Sequence, residues 1–392
     1  MSDTHTVALA RKAKKDDVVS AARDLVEAAS TGSVDLDLSE LSDIDATWGA
    51  VLSNVLVSLR EARNLMVHMP SAPRAHTQLA RSGMYFALAR HPGFDWQQDL
   101  HGWNDHLARW RRDWRPADLQ DPLFDLAGEW VAREEPNPFD DQLVAFLNPD
   151  RTPREDAPND QAAVVYPWLR HLMRHDGEVD PSEELDLHRK ISLVTWELLD
   201  NIREHAHLSR AGQSSLATFA TKGRPNHLNL YVMDTGVGIP ASLRSRLGDD
   251  PGSDTDSVAA ALNGELALRG RSRGNGLRRI VSLVESMPGA SMFLASGPTT
   301  SRGSVVAELS GGSKASKAVD AHTDARVRAR EVPVSMQGTV VVVKLPFGIG
   351  RNAPVSIRRS RKTRNGRLDA RQLGLPDSLT GSAARTESGT DG

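Results

Sequence analysis

The sequence predicts an α/β fold, and three observations carry that prediction. Between residues 31 and 95, extended and helical patterns take turns: VDLDLSEL (34–41) sets Val34, Leu36 and Leu38 on one side of a strand, and Ala50, Val51, Asn54, Val55, Val57, Leu59 and Ala62 then form a broad apolar helical stripe. Near residue 230, HLNLYVMD alternates Leu228, Leu230 and Val232 before a glycine turn. Near residue 340, Val340 to Val343 make an unbroken apolar run of the length of a buried strand, downstream of an amphipathic helix that starts around Gly276.

The chain has 392 residues, room for two to three domains of about 100 to 200 residues each. Its apolar fraction of 39% and charged fraction of 25% suit a globular protein. No stretch reaches the roughly 18 uninterrupted apolar residues of a membrane span, and MSDTHTVALARKAKKDD holds no apolar core of signal-peptide length. The expected location is therefore cytoplasmic, with no membrane partner. The sequence contains no cysteine, which removes disulfides, thiolate metal sites and cysteine nucleophiles. Residues 351–392 hold nine Lys or Arg against four acids, so taking this +5 from the net −3 leaves −8 on the rest. That tail lacks aromatics for stacking on bases. It reads as a solvated, disordered segment, and it is the only part suited to touching nucleic acid or an acidic partner.

Five segments follow from these patterns. Residues 1–30 read as a helical leader, with Val18, Val19, Ala22, Leu25 and Val26 at helical spacing. Residues 31–95 form a small α/β domain, in which NLMVHMP (64–70) is a second strand ended by proline and APRAHTQLARSGMYFALA a further helix. Residues 96–180 read as a mostly helical and irregular connector. There Trp96, Trp103, Trp110, Trp114 and Trp130 recur at spacings that suit one helical face, and a later stretch carries five prolines among acids. Residues 181–348 form the main α/β domain, and 349–392 the basic tail.

The chemistry concentrates in the main domain. On the helix PSEELDLHRKISLVTWELLDNIREHAH, Glu197 and Asn201 are four residues apart and share a face. An amide beside a carboxylate suits Mg²⁺, which needs only one or two protein oxygens when phosphates supply the rest, and Glu197 could deprotonate a water or hydroxyl. Taken alone, such a pair is weak evidence, since Glu and Asn recur on solvated helix faces. At the end of the strand HLNLYVMD, Asp234 is an acceptor-only carboxylate able to take a hydrogen bond from an exocyclic amine, while Gly236 and Gly238 allow backbone to approach a flat ring. An ordinary capped turn would read the same way. In GRSRGNGLRRIVSLVESM, Gly274 and Gly276 precede a helix whose first N–H groups can bind an anion, with charge added by Arg271 and Arg273. Neither a GK[ST] nor a GxGxxG pattern accompanies them. Thr339, before the valine run, can donate to the Asp234 carboxylate or to a bridging water.

In order, spacing and context these four pieces resemble the N box, G1 box, G2 box and terminal GT strand of the GHKL (Bergerat-fold) ATPases. ELLDNIREHA resembles the N box through Glu197, Asn201 and His205. DTGVGIP resembles the G1 box through Asp234, Gly236, Gly238 and Ile239, and GNGLRRIVSLVESMPGA the G2 box and its helix. The resemblance implies a two-layer α/β sandwich over residues 181–348 that binds ATP with Mg²⁺. Asn201 would ligate the metal, Glu197 would act as base, Asp234 would bind adenine, and Arg273, Gly274, Asn275, Gly276 and Leu277 would receive phosphates beneath a lid of residues 241–273. Two features depart from the pattern: Asn275 stands where kinases show Leu, and an insertion of about residues 311–335 precedes the last strand. The phrase DLSELSDIDATWGAVL makes residues 31–95 resemble STAS-like domains, the fold of anti-sigma-factor antagonists. Where those carry a phosphorylatable Ser or Thr, this chain offers Asp45 and Thr47.

None of the thirteen histidines sits in the phrase that a sensor histidine kinase phosphorylates, so a complete enzyme of that kind is not expected. Nor is a topoisomerase or chaperone transducer domain. Two readings stay open. One is a slow ATPase or anti-sigma-factor-like protein kinase in bacterial signalling; the other is a nucleotide-gated module that changes its affinity for a protein partner with little turnover.

Overall fold

The computed structural model describes residues 4–30, 32–59, 64–84, 88, 100–101, 142–147, 181–202, 205, 215–222, 227–247, 252–265, 276–311 and 327–346. All fall within one compact unit, Met1–Ile349. The fold is mixed α/β, with one parallel and one antiparallel main sheet.

The leader, expected to be helical throughout, opens instead with a strand. β1 (Thr4–Ala8) is followed by the two-residue β2 (Lys12–Ala13), and helix begins only at α1 (Lys15–Ala29). Thr4, Thr6 and Val7 are β-branched, which favours extended backbone, and a parallel partner is at hand in β3 (Ser33–Asp37), with Thr4 opposite Ser33 and Ala8 opposite Asp37. α1 buries Val18, Ala22 and Leu25, as its spacing requires. The short β4 (Asp43–Ile44) pairs with β2 and leads into α2 (Ala46–Ser58). β5 (Asn64–His68), α3 (Pro73–Arg81) and β6 (Leu100–His101) complete this part, and the sheet runs β1-β3-β5-β6, all parallel. Asp45 caps α2 by accepting the Thr47 N–H at 2.8 Å. The position singled out by the STAS-like phrase thus does ordinary helix-start work.

The second sheet contains β7 (Gln142–Leu147), β8 (Ser215–Lys222), β9 (His227–Asp234), β10 (Ser291–Gly297), β11 (Ser304–Ser310), β12 (Ala329–Val332) and β13 (Gly338–Pro346). Its order is β12-β11-β10-β13-β9-β8-β7, antiparallel at every step. Its helices are α4 (Pro181–Asn201), α5 (Gly238–Leu247), α6 (Asp254–Asn263) and α7 (Gly276–Ser286). Two strands of this sheet depart from the expected organisation, as does β6, which lies past residue 95 in the segment read as connector yet joins the parallel sheet. β7 lies in the segment read as connector, where the apolar run LVAFL extends the sheet beside β8. β12 lies in the expected insertion, and its exposed Arg330 and Glu331 suit a strand at the edge of a sheet. Trp96, Trp103, Trp110, Trp114, Trp130 and the tail 349–392 lie outside the described residues.

The central strands of the antiparallel sheet, β9 and β13, are buried on both faces. Leu228, Leu230 and Val232 of β9, with Val341, Val343 and Leu345 of β13, join Leu187, Ile191, Val194 and Leu198 of α4 and Ile280, Val281 and Val284 of α7 in one core. The alternate residues Tyr231, Met233, Phe293, Val340 and Val342 join a second core, which continues through α2 into Leu36, Leu65 and Val67 of the parallel sheet. This double cover explains the unbroken Val340–Val343 run, since a strand buried on both sides has no polar face to alternate with. It also explains α2, whose residues Trp48 to Val57 are all buried: a helix wedged between two sheets is apolar all round. Trp48 meets Phe293 edge-on, with ring centroids 5.3 Å apart.

Replacing Trp48 by Ala removes an aromatic anchor shared by both sheets. The loss expected is about 3 to 5 kcal/mol, seen in denaturant titration as a lower midpoint of a single transition in which both sheets unfold together.

Candidate functional site

Two side-chain clusters contain most of the residues singled out in the sequence. The first is built where β9 ends. Asp234 is its last residue, opposite Thr339 of β13 and Ser215 of β8, and its side chain is buried. A buried carboxylate needs donors, and the chain bends to supply them: the Gly236 N–H donates to Asp234 Oδ1 at 2.8 Å, and the Thr339 N–H also donates to the carboxylate. Burial still dominates. Desolvation lifts the Asp234 pKa to about 7, against the lowering effect of those two N–H groups.

The turn after Asp234 is held from three sides. Gly238 sits at φ +75°, and a Cβ there would fall 2.2 Å from the Gly297 carbonyl oxygen, so close backbone packing alone demands glycine. Ser296 Oγ accepts the Ile239 N–H at 2.8 Å, lies 2.8 Å from the Thr339 hydroxyl and donates to the Gly338 carbonyl at 3.1 Å. Gln337 donates from its side chain to the Gly236 carbonyl. Thr339 thus reaches the carboxylate through its backbone, whereas its hydroxyl faces Ser296. Behind the strand, Asn54 of α2, fully buried, donates from Nδ2 to the Asp234 backbone carbonyl at 2.8 Å.

The second cluster lies between α4 and α7. Glu197 is buried at 7% exposure, and Asn201 is half-buried one turn on, with Nδ2 enclosed and lacking a hydrogen-bond partner among the described residues. Gly276, the first residue of α7, lies against both: a Cβ on it would sit 2.5 Å from Glu197 Oε2 and 3.4 Å from Asn201 Nδ2. Arg279, one turn into α7, donates from Nη1 to Glu197 Oε1 at 2.7 Å. His205 follows one turn after Asn201, half-buried and with interactions of its own. Ile239 and Leu277 pack, partly buried, against the core that also seats Leu198 and Ile202, which places both clusters on the border of that core.

Arg273, Gly274 and Asn275 fall outside the described residues. Part of the segment expected to form a lid is ordinary packed structure. α6 buries Val258, Ala261 and Leu262, and its first residue, Asp254, accepts the Thr300 N–H at 2.7 Å and the Thr300 hydroxyl at 2.9 Å, with Arg244 of α5 also paired to it. These donors hold the Asp254 carboxyl below its ordinary range although burial opposes them. Among the described residues, no group of three or more His, Asp or Glu is arranged to hold a metal ion, and no helix is long and apolar enough to cross a membrane.

Four contributors escaped sequence reasoning. Arg279 had a signal, since it stands three residues after Gly276 on the same helix face. Ser296, Gln337 and Asn54 had none, because their partners are brought near only by tertiary structure: sheet pairing for Ser296 and Gln337, and the packing of α2 on the sheet for Asn54. No protein-family model matches the chain, and no curated protein matches it.

The Asp234 carboxyl binds its proton more tightly in the folded protein than when unfolded. Its contribution to stability is therefore full below pH 4 and is lost as pH rises through about 7. Asp234→Asn keeps the shape and escapes that loss. Thermal unfolding across pH should show the variant gaining on wild type between pH 4 and pH 8, and a gap that does not change with pH would contradict the buried-carboxylate assignment.

Proposed function

We propose that residues 181–348 are a Bergerat-type Mg-ATP-binding domain of two α/β layers, joined to a STAS-like amino-terminal layer in a regulatory protein of the GHKL kind. The observation that carries this reading is the Asp234 carboxylate, buried at a strand end where Gly236, Thr339 and Ser296 fix the turn around it. A second support is independent: the enclosed Asn201 Nδ2 has no hydrogen-bond partner among the described residues and lies against the first residue of α7. A half-turn of that amide presents Oδ1, an oxygen of the kind Mg²⁺ takes. ATP with Mg²⁺ would supply the phosphate oxygens that complete the cation's shell and the phosphoryl group for transfer.

Each residue then has a task. Asp234, ionised, accepts from the adenine amine, with Ile239 packed beside the turn, while Leu277 belongs with Gly276 to the phosphate-receiving first turn of α7. Gly276, with Arg273, Gly274 and Asn275 before it, brings N–H groups to the phosphates. Asn201 ligates Mg²⁺, His205 borders the site, and Glu197 accepts the proton of an attacking water or of a protein Ser or Thr hydroxyl. The protein partner is the substrate in a kinase of the anti-sigma type, and the effector in a nucleotide-gated interaction module. Both readings place the chain in bacterial signalling in the cytoplasm.

Titration calorimetry with ATP and Mg²⁺ tests the nucleotide site; no heat and no thermal shift would end this reading. Asp234→Asn should weaken ATP binding by about 1 to 3 kcal/mol, because an amide donor then faces an amine donor. Wild-type affinity should rise between pH 6 and pH 8, since the ionised Asp234 is the stronger acceptor, carries no competing O–H donor, and its pKa is near 7. Turnover separates the two roles. With labelled ATP, Glu197→Ala should lose label transfer yet keep binding if the protein is an enzyme, whereas a gated module shows negligible release in wild type already.

A further inference from the structure

α7 carries two adjacent arginines that go different ways. Arg278 pairs along its own helix with Glu285 at 3.5 Å, both ends about one-third exposed. Arg279 crosses to α4 and holds Glu197 at 2.7 Å, and here the two ends differ: the Glu197 side chain is 9% exposed, the Arg279 side chain 48%. A buried carboxylate is fixed by its surroundings, whereas a half-exposed guanidinium on a long stem can exchange one anion for another. Arg279 also stands three residues after Gly276, about 4.5 Å along the axis from the helix start, and on the same face. Its present partner touches that start, since Glu197 Oε2 is the atom a Cβ on Gly276 would strike. One cation, one buried carboxylate and the first turn of a helix therefore meet at one point.

Resting on the reading of this site as one for Mg-ATP, we propose that Arg279 is shared between Glu197 and the terminal phosphate of the nucleotide. Without nucleotide it neutralises Glu197 and keeps that carboxylate from accepting a proton. With a triphosphate bound, the guanidinium turns to the terminal phosphate, a partner offering more charge and a matching two-pronged geometry, and Glu197 is released. A diphosphate ends one group short and leaves the pair closed. Arg279 is thus the residue that distinguishes ATP from ADP, and Glu197 competes with ATP for it, lowering ATP affinity in the wild type.

Calorimetric titration of the full chain with Mg-ATP and with Mg-ADP tests this. Wild type should prefer ATP by roughly tenfold, the worth of one charge-assisted hydrogen bond. Arg279→Met should bring ATP affinity down to that of ADP, and Arg279→Lys should retain part of the preference. Glu197→Gln should tighten ATP severalfold while Arg279 is present and have no such effect in the double variant with Arg279→Met. A preference for ATP that survives Arg279→Met, or a Glu197→Gln gain that persists in the double variant, overturns the proposal and leaves the nucleotide site standing. Equal losses for both nucleotides in Arg279→Met, with Arg279→Lys equally impaired, mean that the pair only props α7 against α4, and overturn it as well. A wild type that binds neither nucleotide removes the site and the proposal together.

Discussion

Burying a carboxylate at the end of an interior strand is unfavourable, and much of the surrounding structure can be understood as answering that. β9 runs inside a sheet and is covered on both faces, so Asp234 cannot turn to solvent without breaking the strand's pairing with β13. Two backbone N–H groups reach the carboxylate, yet they leave its pKa near 7, which means that they offset only part of the desolvation. What remains is a group poised to gain from a further donor. The tight turn, the packing of Gly238 onto Gly297 and the Ser296 junction all serve to keep the backbone in place around it.

The amino-acid pattern revealed those parts of the fold where local and long-range demands agree. The first half of VDLDLSEL became β3 because Val34 and Leu36 face one core, with Leu38 just past its end, and all three are fully buried. HLNLYVMD became β9 and the Val340–Val343 run became part of β13 because each supplies apolar residues to both cores. The leader failed as a helix over residues 4–8 because those residues serve a partner strand some thirty positions away, which a local window cannot see. β12 was hidden in the same way: AREV has little apolar character, and only the edge of β11 makes it a strand.

The candidate site was legible wherever its residues belong to short phrases. Glu197, Asn201 and Gly276 are separated by up to about eighty positions, yet two helix faces bring them together. Less legible was the mutual engagement of the charges. Glu197 had the look of an unencumbered base from its own helix, and only the packing of α7 on α4 reveals that a guanidinium already occupies it. A glycine pattern likewise names the positions without saying what presses on them. At Gly238 it is the chain's own carbonyl.

The bond from Asn54 to the Asp234 carbonyl bears on whether the two sheets are interchangeable parts. Asn54 comes from the middle of a helix that has no exposed side, and its amide ends on Asp234, the residue around which the first cluster is built. A graft of residues 181–348 onto some other front piece would leave that carbonyl facing apolar side chains, and the back of the sheet bare. The front layer is therefore less a detachable module than the floor on which the strand end rests. Divergence among relatives should preserve the pair jointly or lose it jointly.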